Sequence, residues 1–183
     1  MIKLDVISDK ERGYIFGLFE GDGYRIYDKG SRHYIVEFYL NSERDKQIIA
    51  YICSLLNKIG LNPNCYKDKR FNCVRVRVYS KELFNIISKG ISLIGKSDDF
   101  SLGYVSGFID SEGYVNKAKF TLEIVNTNRK ILYEIRDFLK SLGVNSSISL
   151  RNPSIKDKLP SYRIYISVNF KRLMHISIKA GKL

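Results

Sequence analysis

Two acidic side chains stand in matched surroundings in this chain. Asp22 lies in the stretch 14-YIFGLFEGDGY-24 and Glu112 in 104-YVSGFIDSEGY-114. Each stretch runs aromatic, aliphatic, any residue, glycine, two apolar residues, acid, small residue, acid, glycine, tyrosine. The spacing reads as a helix that ends at the second acid. A carboxylate at a helix C-terminus is electrostatically unfavourable, and two brought together repel as well. A bound cation offsets both costs. Ligation by oxygen alone points to magnesium or manganese rather than zinc. One such stretch by itself reads more readily as a packed helix followed by an Asp-Gly turn. Two in the same phase need a further reason for the repeated acid. A dinucleotide-binding reading of 21-GDG-23 fails, because Ile26 stands where the third glycine belongs and the glycines follow a helix instead of opening one.

The elements that must position these acids are written twice. The segment 53-CSLLNKIGLN-62 resembles 136-RDFLKSLGVN-145, and 73-CVRVRVYSKELFNIIS-88 resembles 162-YRIYISVNFKRLMHIS-177. The order is the same in both halves, which marks an internal duplication. The offset between copies changes, so the first half carries a longer loop, expected around 28–32. Each half predicts the order α-β-β-α-β-β-α. Ser8 and Glu11 form a capping-box pattern ahead of the first helix, about residues 9–21. Asp98 or Asp99 is expected to cap its counterpart. Further helices are expected over about 43–59 and 127–142, ending at Gly60 and Gly143 in the left-handed C-cap position. The join is placed at 91–99, dividing the chain into halves 1–95 and 96–183.

Gly17 and Gly21, like Gly107 and Ser111, are small residues four apart and so share one helical stripe. Ile15, Leu18 and Phe19 around them are bulky, and Ser106 thins the second helix further. A small stripe admits another helix at close range. The equivalent helix of the other half is the expected partner, which would set Asp22 and Glu112 side by side at the seam.

The strands carry alternation. In the second half Ala118, Phe120, Leu122 and Ile124 are expected to face a core, with Lys117, Lys119, Thr121 and Glu123 opposite. Val74, Val76 and Val78 face inward in the first half, and Ile164, Ile166 and Val168 in the second. That leaves Arg75, Arg77, Arg163, Tyr165 and Ser167 on open faces. Lys67, Lys69 and Arg151 are expected to join them, with Arg32 in the long loop and Lys119. A basic ribbon of this kind can lie in the major groove of DNA. A solvated charged face is the competing reading. The balance of 31 basic and 19 acidic residues, net +12, favours a polyanionic partner.

Other classes recede. No run of about 18 apolar residues exists, and the N-terminus lacks the apolar core of a signal peptide, so an intracellular protein without a membrane span is expected. Three cysteines, Cys53, Cys65 and Cys73, are too few and wrongly spaced for a disulfide framework or a zinc site and read as small hydrophobes. His33 and His175 have no assigned role.

At these residues the sequence resembles the LAGLIDADG homing endonucleases, whose nine-residue motif falls on 15-IFGLFEGDG-23 and 105-VSGFIDSEG-113. The resemblance covers nearly the whole chain and indicates the single-chain, two-motif branch. It implies an α/β (α+β) fold of two pseudo-symmetric αββαββα halves, a saddle of antiparallel sheets with the motif helices at the central interface. It also implies a monomer that makes a metal-dependent double-strand break with 3′ overhangs at a long asymmetric site in double-stranded DNA, using Mg2+ with Mn2+ as a substitute. The eighth motif position, Asp22 and Glu112, is the family's metal-binding acid, flanked by Gly21 and Ser111. The sixth, Glu20 and Asp110, is structural. The family often places a lysine and an amide near the acids, here Lys117 and Asn126. Lys117 reads equally as a phosphate contact, and the first-half equivalent of Asn126 is Asn41 or Ser42. Phe16 stands where a small residue is usual, and glutamate replaces aspartate in the second motif. An intron-RNA-binding maturase and a catalytically silent DNA-binding regulator remain the alternatives on this fold.

Overall fold

The computed structural model describes residues 2–68, 71–116, 118–151, 159–167 and 176–182. In the first half, α1 (Asp9–Asp22) leads into the hairpin β1 (Gly23–Asp28) and β2 (His33–Asn41), followed by α2 (Lys46–Lys58), β3 (Asn64–Asp68), β4 (Cys73–Tyr79) and α3 (Lys81–Ser88). The second half repeats the order with α4 (Asp98–Glu112), β5 (Gly113–Asn116), β6 (Thr121–Asn126), α5 (Arg129–Ser141), β7 (Ser147–Leu150) and β8 (Tyr162–Ile166). The closing helix expected after β8, with Val168 and His175, lies outside the described residues. Two antiparallel sheets result, ordered β1-β2-β4-β3 and β5-β6-β8-β7.

Local chemistry sets the helix ends. The Ser8 hydroxyl accepts from Glu11 N, and the Glu11 carboxylate accepts from Ser8 N, so the expected capping box is formed. The counterpart of Ser8 is Ser97, whose hydroxyl accepts from Phe100 N. Asp98 and Asp99 therefore sit in the first turn, not at the cap, where their charge still suits the dipole. Gly60 and Gly143 adopt φ of 85° and 72°, the left-handed stops read from the sequence.

Each sheet buries one face under helices. Val36, Phe38, Leu40, Val76 and Val78 meet Ile48, Ile52, Leu55 and Leu56 of α2, while Leu122, Ile124, Ile164 and Ile166 meet Leu132, Ile135 and Leu139 of α5. The extra length of the first half lies in the β1–β2 hairpin, closed by the Asp28 carboxylate on Gly30 N and the Ser31 hydroxyl. One expectation fails in the second half. The β5–β6 turn claims Ala118, Lys119 and Phe120, all exposed, with Phe120 at φ 49°. The alternation of Leu122 and Ile124 cannot extend back through a reversal of the chain, so Ala118 and Phe120 are not core residues. Cys53 on α2 and Cys65 on β3 bring their Sγ atoms to 3.6 Å.

The motif helices α1 and α4 pack on each other along their glycines. A Cβ at Gly17 would overlap the Tyr104 carbonyl, and one at Gly107 the Tyr14 carbonyl. One turn earlier, Gly13 meets the Phe100 carbonyl and Gly103 the Lys10 carbonyl. Tyr14 and Tyr104 occupy matching positions in the two motifs, so the contacts are exchanged by an approximate two-fold. Gly13 and Gly103 extend the stripe by one turn, and their spacing of four from Gly17 and Gly107 is the sequence signal for it. Ser106 does not thin this contact. Its hydroxyl donates to the carbonyl of Ile176 in the C-terminal segment. Phe16 is buried, its ring 6.2 Å from that of Phe100.

Candidate active site at the helix seam

The glycine stripe ends where the acids begin. A Cβ at Gly21 would overlap the Ser111 hydroxyl and lie 2.8 Å from Cγ of Glu112. The C-terminal ends of α1 and α4 are thus in direct contact, with Asp22 the last residue of one and Glu112 the last of the other. Both carboxylates are half-buried. Burial pushes the Asp22 carboxyl up to about 6; the nearby Asp45 adds to this and Lys179 opposes it. Burial pushes Glu112 up to about 7, the negative charge of Asp22 raises it further, and Asn126 and Lys179 oppose. Two desolvated carboxylates that repel across a seam form a site with a deficit of positive charge.

Each acid has its own support. Asn126 Nδ2 donates to Glu112 Oε1 at 2.9 Å. Asn126 takes the Ile124 phase of β6, on the helix-covered side, and this turns its amide toward the seam. Neither first-half candidate makes a matching contact. The Asn41 side chain accepts from Glu43 N and Arg44 N, and Ser42 is buried with its hydroxyl unpartnered. Asp45 is buried and accepts from Asn41 N, adding a carboxylate on the Asp22 side.

Asp110, at the sixth motif position, is fully buried and accepts from the Tyr14 hydroxyl at 2.9 Å, Ile178 N at 3.1 Å and Lys179 N at 2.7 Å. It ties the two halves and the C-terminal segment together. Its counterpart Glu20 accepts from Asn128 Nδ2 at 3.3 Å. Lys179 brings its Nζ to the Ser111 carbonyl at 3.0 Å. Sequence reading missed this residue, and no local signal marks it. Lys117 lies outside the described residues.

The donor set fits a hard divalent cation. Two carboxylates from two helix ends, with no cluster of three or more histidine, cysteine, aspartate or glutamate side chains among the described residues, leave most of a coordination shell to water and substrate oxygens. Magnesium is commonly bound in this way, through one or two carboxylates and phosphate.

The open sheet faces divide the predicted basic residues. Arg75 and Arg77 share a face with Tyr24, Tyr39, Tyr66 and Tyr79, all substantially exposed tyrosines. Arg77 is committed there: its guanidinium binds Glu37 at 2.6 Å and lies 5.1 Å from the Tyr66 ring. Arg163 pairs with Glu123 at 3.3 Å on the equivalent face, alongside Tyr165 and the exposed Tyr114. Lys67 is a correction. Its partner in the register is Val74, so the pleat turns it to the helix side, near Glu43 at 3.8 Å. Arg32 (φ 58°) and Lys119 are exposed at the two hairpin turns, and Arg151 is exposed past β7. Lys69 lies outside the described residues. The alternation of β1, β2, β3 and β4 is the sequence signal for these surface tyrosines.

Comparison with known proteins agrees with this geometry. The family profile described as LAGLIDADG-like domain matches residues 9–90 and 99–176, once per half. An uncharacterized protein of Methanocaldococcus jannaschii is 31% identical over 151 residues, which make up 80% of this chain and 54% of that protein. The chain therefore spans about half the length of that relative. Among solved structures, the homing endonuclease I-DmoI in complex with DNA and Ca superposes with a TM-score of 0.75 at 21% identity, covering 94% of this chain and 96% of that one. The N-terminal LAGLIDADG domain of WhiA gives a TM-score of 0.64 at 17% identity, covering 97% and 86%. At these identities the likeness to both is one of fold.

Proposed function

We propose that this chain, which belongs to the LAGLIDADG-like domain family, is a divalent-metal-dependent endonuclease that makes a double-strand break with 3′ overhangs at a long asymmetric site in double-stranded DNA. The observation that carries the reading is the meeting of Asp22 and Glu112 at the contact of two helix ends, each half-buried and each raised well above its ordinary carboxyl range. Structural neighbours support it: I-DmoI has been crystallised with DNA and Ca and with DNA and Mn.

On this reading Asp22 and Glu112 hold magnesium, or manganese in its place, with the backbone at Gly21 and Ser111 close by. The cation, when bound, would activate water and stabilise charge on a phosphoryl oxygen. The protein's own part is positional. The glycine stripe fixes the spacing of the acids, Asn126 fixes the rotamer of Glu112 by binding one of its two oxygens, and Asp110 locks the end of α4. The open faces bearing Arg75, Arg77, Arg163 and Tyr165 lie against DNA, with Arg32, Lys119 and Arg151 at their margins, and Lys117 completes the site as a phosphate or water contact. Residues 1–95 and 96–183 act as the two halves of one monomer, each serving one strand. Intron homing is the biological role that suits such an enzyme. No described helix is long and apolar enough to cross a membrane.

The test is cleavage of a randomised-site plasmid library with magnesium, beside Asp22→Asn, Glu112→Gln and an EDTA control. Double-strand breaks that need metal and vanish in either variant are expected. Tight DNA binding without cleavage under any metal would overturn the nuclease and leave a silent regulator on the same fold. Preferential binding of intron RNA would leave a maturase.

A further inference from the structure

The C-terminal segment returns to the motif helices and is clamped there. Asp110 accepts from the backbone N–H groups of Ile178 and Lys179, the Ser106 hydroxyl donates to the Ile176 carbonyl, and the Ser177 hydroxyl accepts from Ala180 N at 2.9 Å, with Ala180 itself fully buried. With the backbone held on both sides of Lys179, the reach of its side chain is defined. Nζ donates to the carbonyl of Ser111, the residue before Glu112. From there its positive charge acts on both Asp22 and Glu112.

The duplication does not repeat this lysine. Aligning Ser88 with Ser177, as the third repeated segment requires, sets Gly90 opposite Lys179. Gly90 has no side chain and a φ of 72°. At the matching position the first half therefore carries no ammonium, and the charge of Lys179 acts on both acids.

We propose that Lys179 is a resident cation of the cleavage site, which shares the seam with the divalent ion of Asp22 and Glu112 and competes against it. This rests on the metal-site reading above and extends it. An ammonium at the Ser111 carbonyl reduces the net negative charge that a divalent ion meets and engages an oxygen beside one of its two carboxylates. Repulsion between the ammonium and the divalent ion weakens metal binding in the free protein. A DNA phosphate at the seam gives the ammonium another partner, since lysine binds phosphate as a point charge. Lys179 thereby makes metal binding depend on DNA, holding the site weak until a phosphate arrives.

Tyrosine-sensitised terbium luminescence reads this without cleavage, in a chain with 13 tyrosines and no tryptophan. Terbium is titrated into free protein and into its complex with random-sequence duplex DNA, for wild type, Lys179→Met, Lys179→Arg, Asp22→Asn and Glu112→Gln. Lys179→Met is expected to bind terbium about fivefold more tightly than wild type when free and to lose most of the tightening that DNA produces, whereas Lys179→Arg stays near wild type. Thermal melts check the fold, with Lys179→Gln replacing Lys179→Met if the latter is unfolded. Unchanged or weaker terbium binding in a folded Lys179→Met or Lys179→Gln, with binding still lost in the acid variants, overturns the proposal and leaves the metal site standing. Terbium binding indifferent to both acids overturns the metal-site reading and this proposal with it. The expected terbium pattern in a protein that cuts no DNA overturns the nuclease alone.

Discussion

Gly17→Ala tests the central claim of the fold, that the acids meet because two helices touch backbone to backbone. A methyl at Gly17 would overlap the Tyr104 carbonyl and lie 2.9 Å from Tyr104 Cα, where carbon–carbon contact is ordinarily about 3.5–4.0 Å. The methyl is fixed rigidly to its own helix and every atom it meets is backbone, so no flexible side chain can give way and the helices must separate by roughly an ångström. Overpacking of this kind costs about 1–3 kcal/mol, and the absence of any yielding group puts this site at the top of that range. Alanine in a helix interior returns about 1 kcal/mol over glycine. The net loss of about 2 kcal/mol corresponds to a melting point about 4–8 °C lower in a chain of this size. Separation also moves Asp22 from Glu112, and a displacement near 1 Å at reacting groups can cost on the order of a hundredfold in rate. Melts by circular dichroism and single-turnover cleavage well below the transition measure both effects. Gly30→Ala is the control, since its Cβ meets only Asp28 Oδ1 at 3.4 Å, and its melt should stay within about 2 °C of wild type. A Gly17→Ala protein as stable as wild type, or more so, would mean that helix propensity had won and that the close approach is wrong.

Three further outcomes are expected. Asp22 and Glu112 are raised to about 6 and about 7 from 3.8 and 4.5, so the native state binds more protons than the unfolded chain between these values. Their contribution to stability is present below about pH 4 and is lost as pH rises through 6 to 7; the calcium-induced rise in melting point should accordingly be larger at pH 8 than at pH 5.5, and equal rises would refute the assignment. Asn126→Ala removes the donor to Glu112 Oε1; it should cost about 0.5–1.5 kcal/mol in denaturant melts and slow cleavage with little change in DNA affinity, and an unaltered rate would deny Asn126 a part in the site. Glu37→Gln should release Arg77 from its ion pair toward DNA and steepen the dependence of log affinity on log salt by about 0.9; an unchanged slope would show that Arg77 stays off the phosphates.

Much of the fold was legible because its determinants are local. The small residues at Gly17, Gly21, Gly107 and Ser111 lie one helical turn apart, so the stripe that brings the motif helices together is visible in a few neighbouring letters. The valines of β4 alternate with Arg75 and Arg77, and a pleated strand turns such alternation into two faces. The left-handed stops at Gly60 and Gly143 follow from the lack of a Cβ. Local pattern fails where strand pairing or a turn intervenes. Lys67 resembles the arginines in charge, but its face is decided by its pairing with Val74. Ala118 and Phe120 continued an apparent alternation across a point where the chain reverses.

Two similar halves, a glycine-lined helix ending in an acid in each, and a strongly basic chain are all legible in the sequence alone. These properties depend on residues close in the chain or on composition alone. The tertiary structure decided what surrounds the acids: Asn126 on Glu112, Asp45 beside Asp22, and Lys179 at the Ser111 carbonyl. It also decided that Arg77 answers to Glu37, 40 positions away. Such contacts are set by the path of the chain in space, and a side chain 68 residues from its partner leaves no periodic trace in the sequence between them.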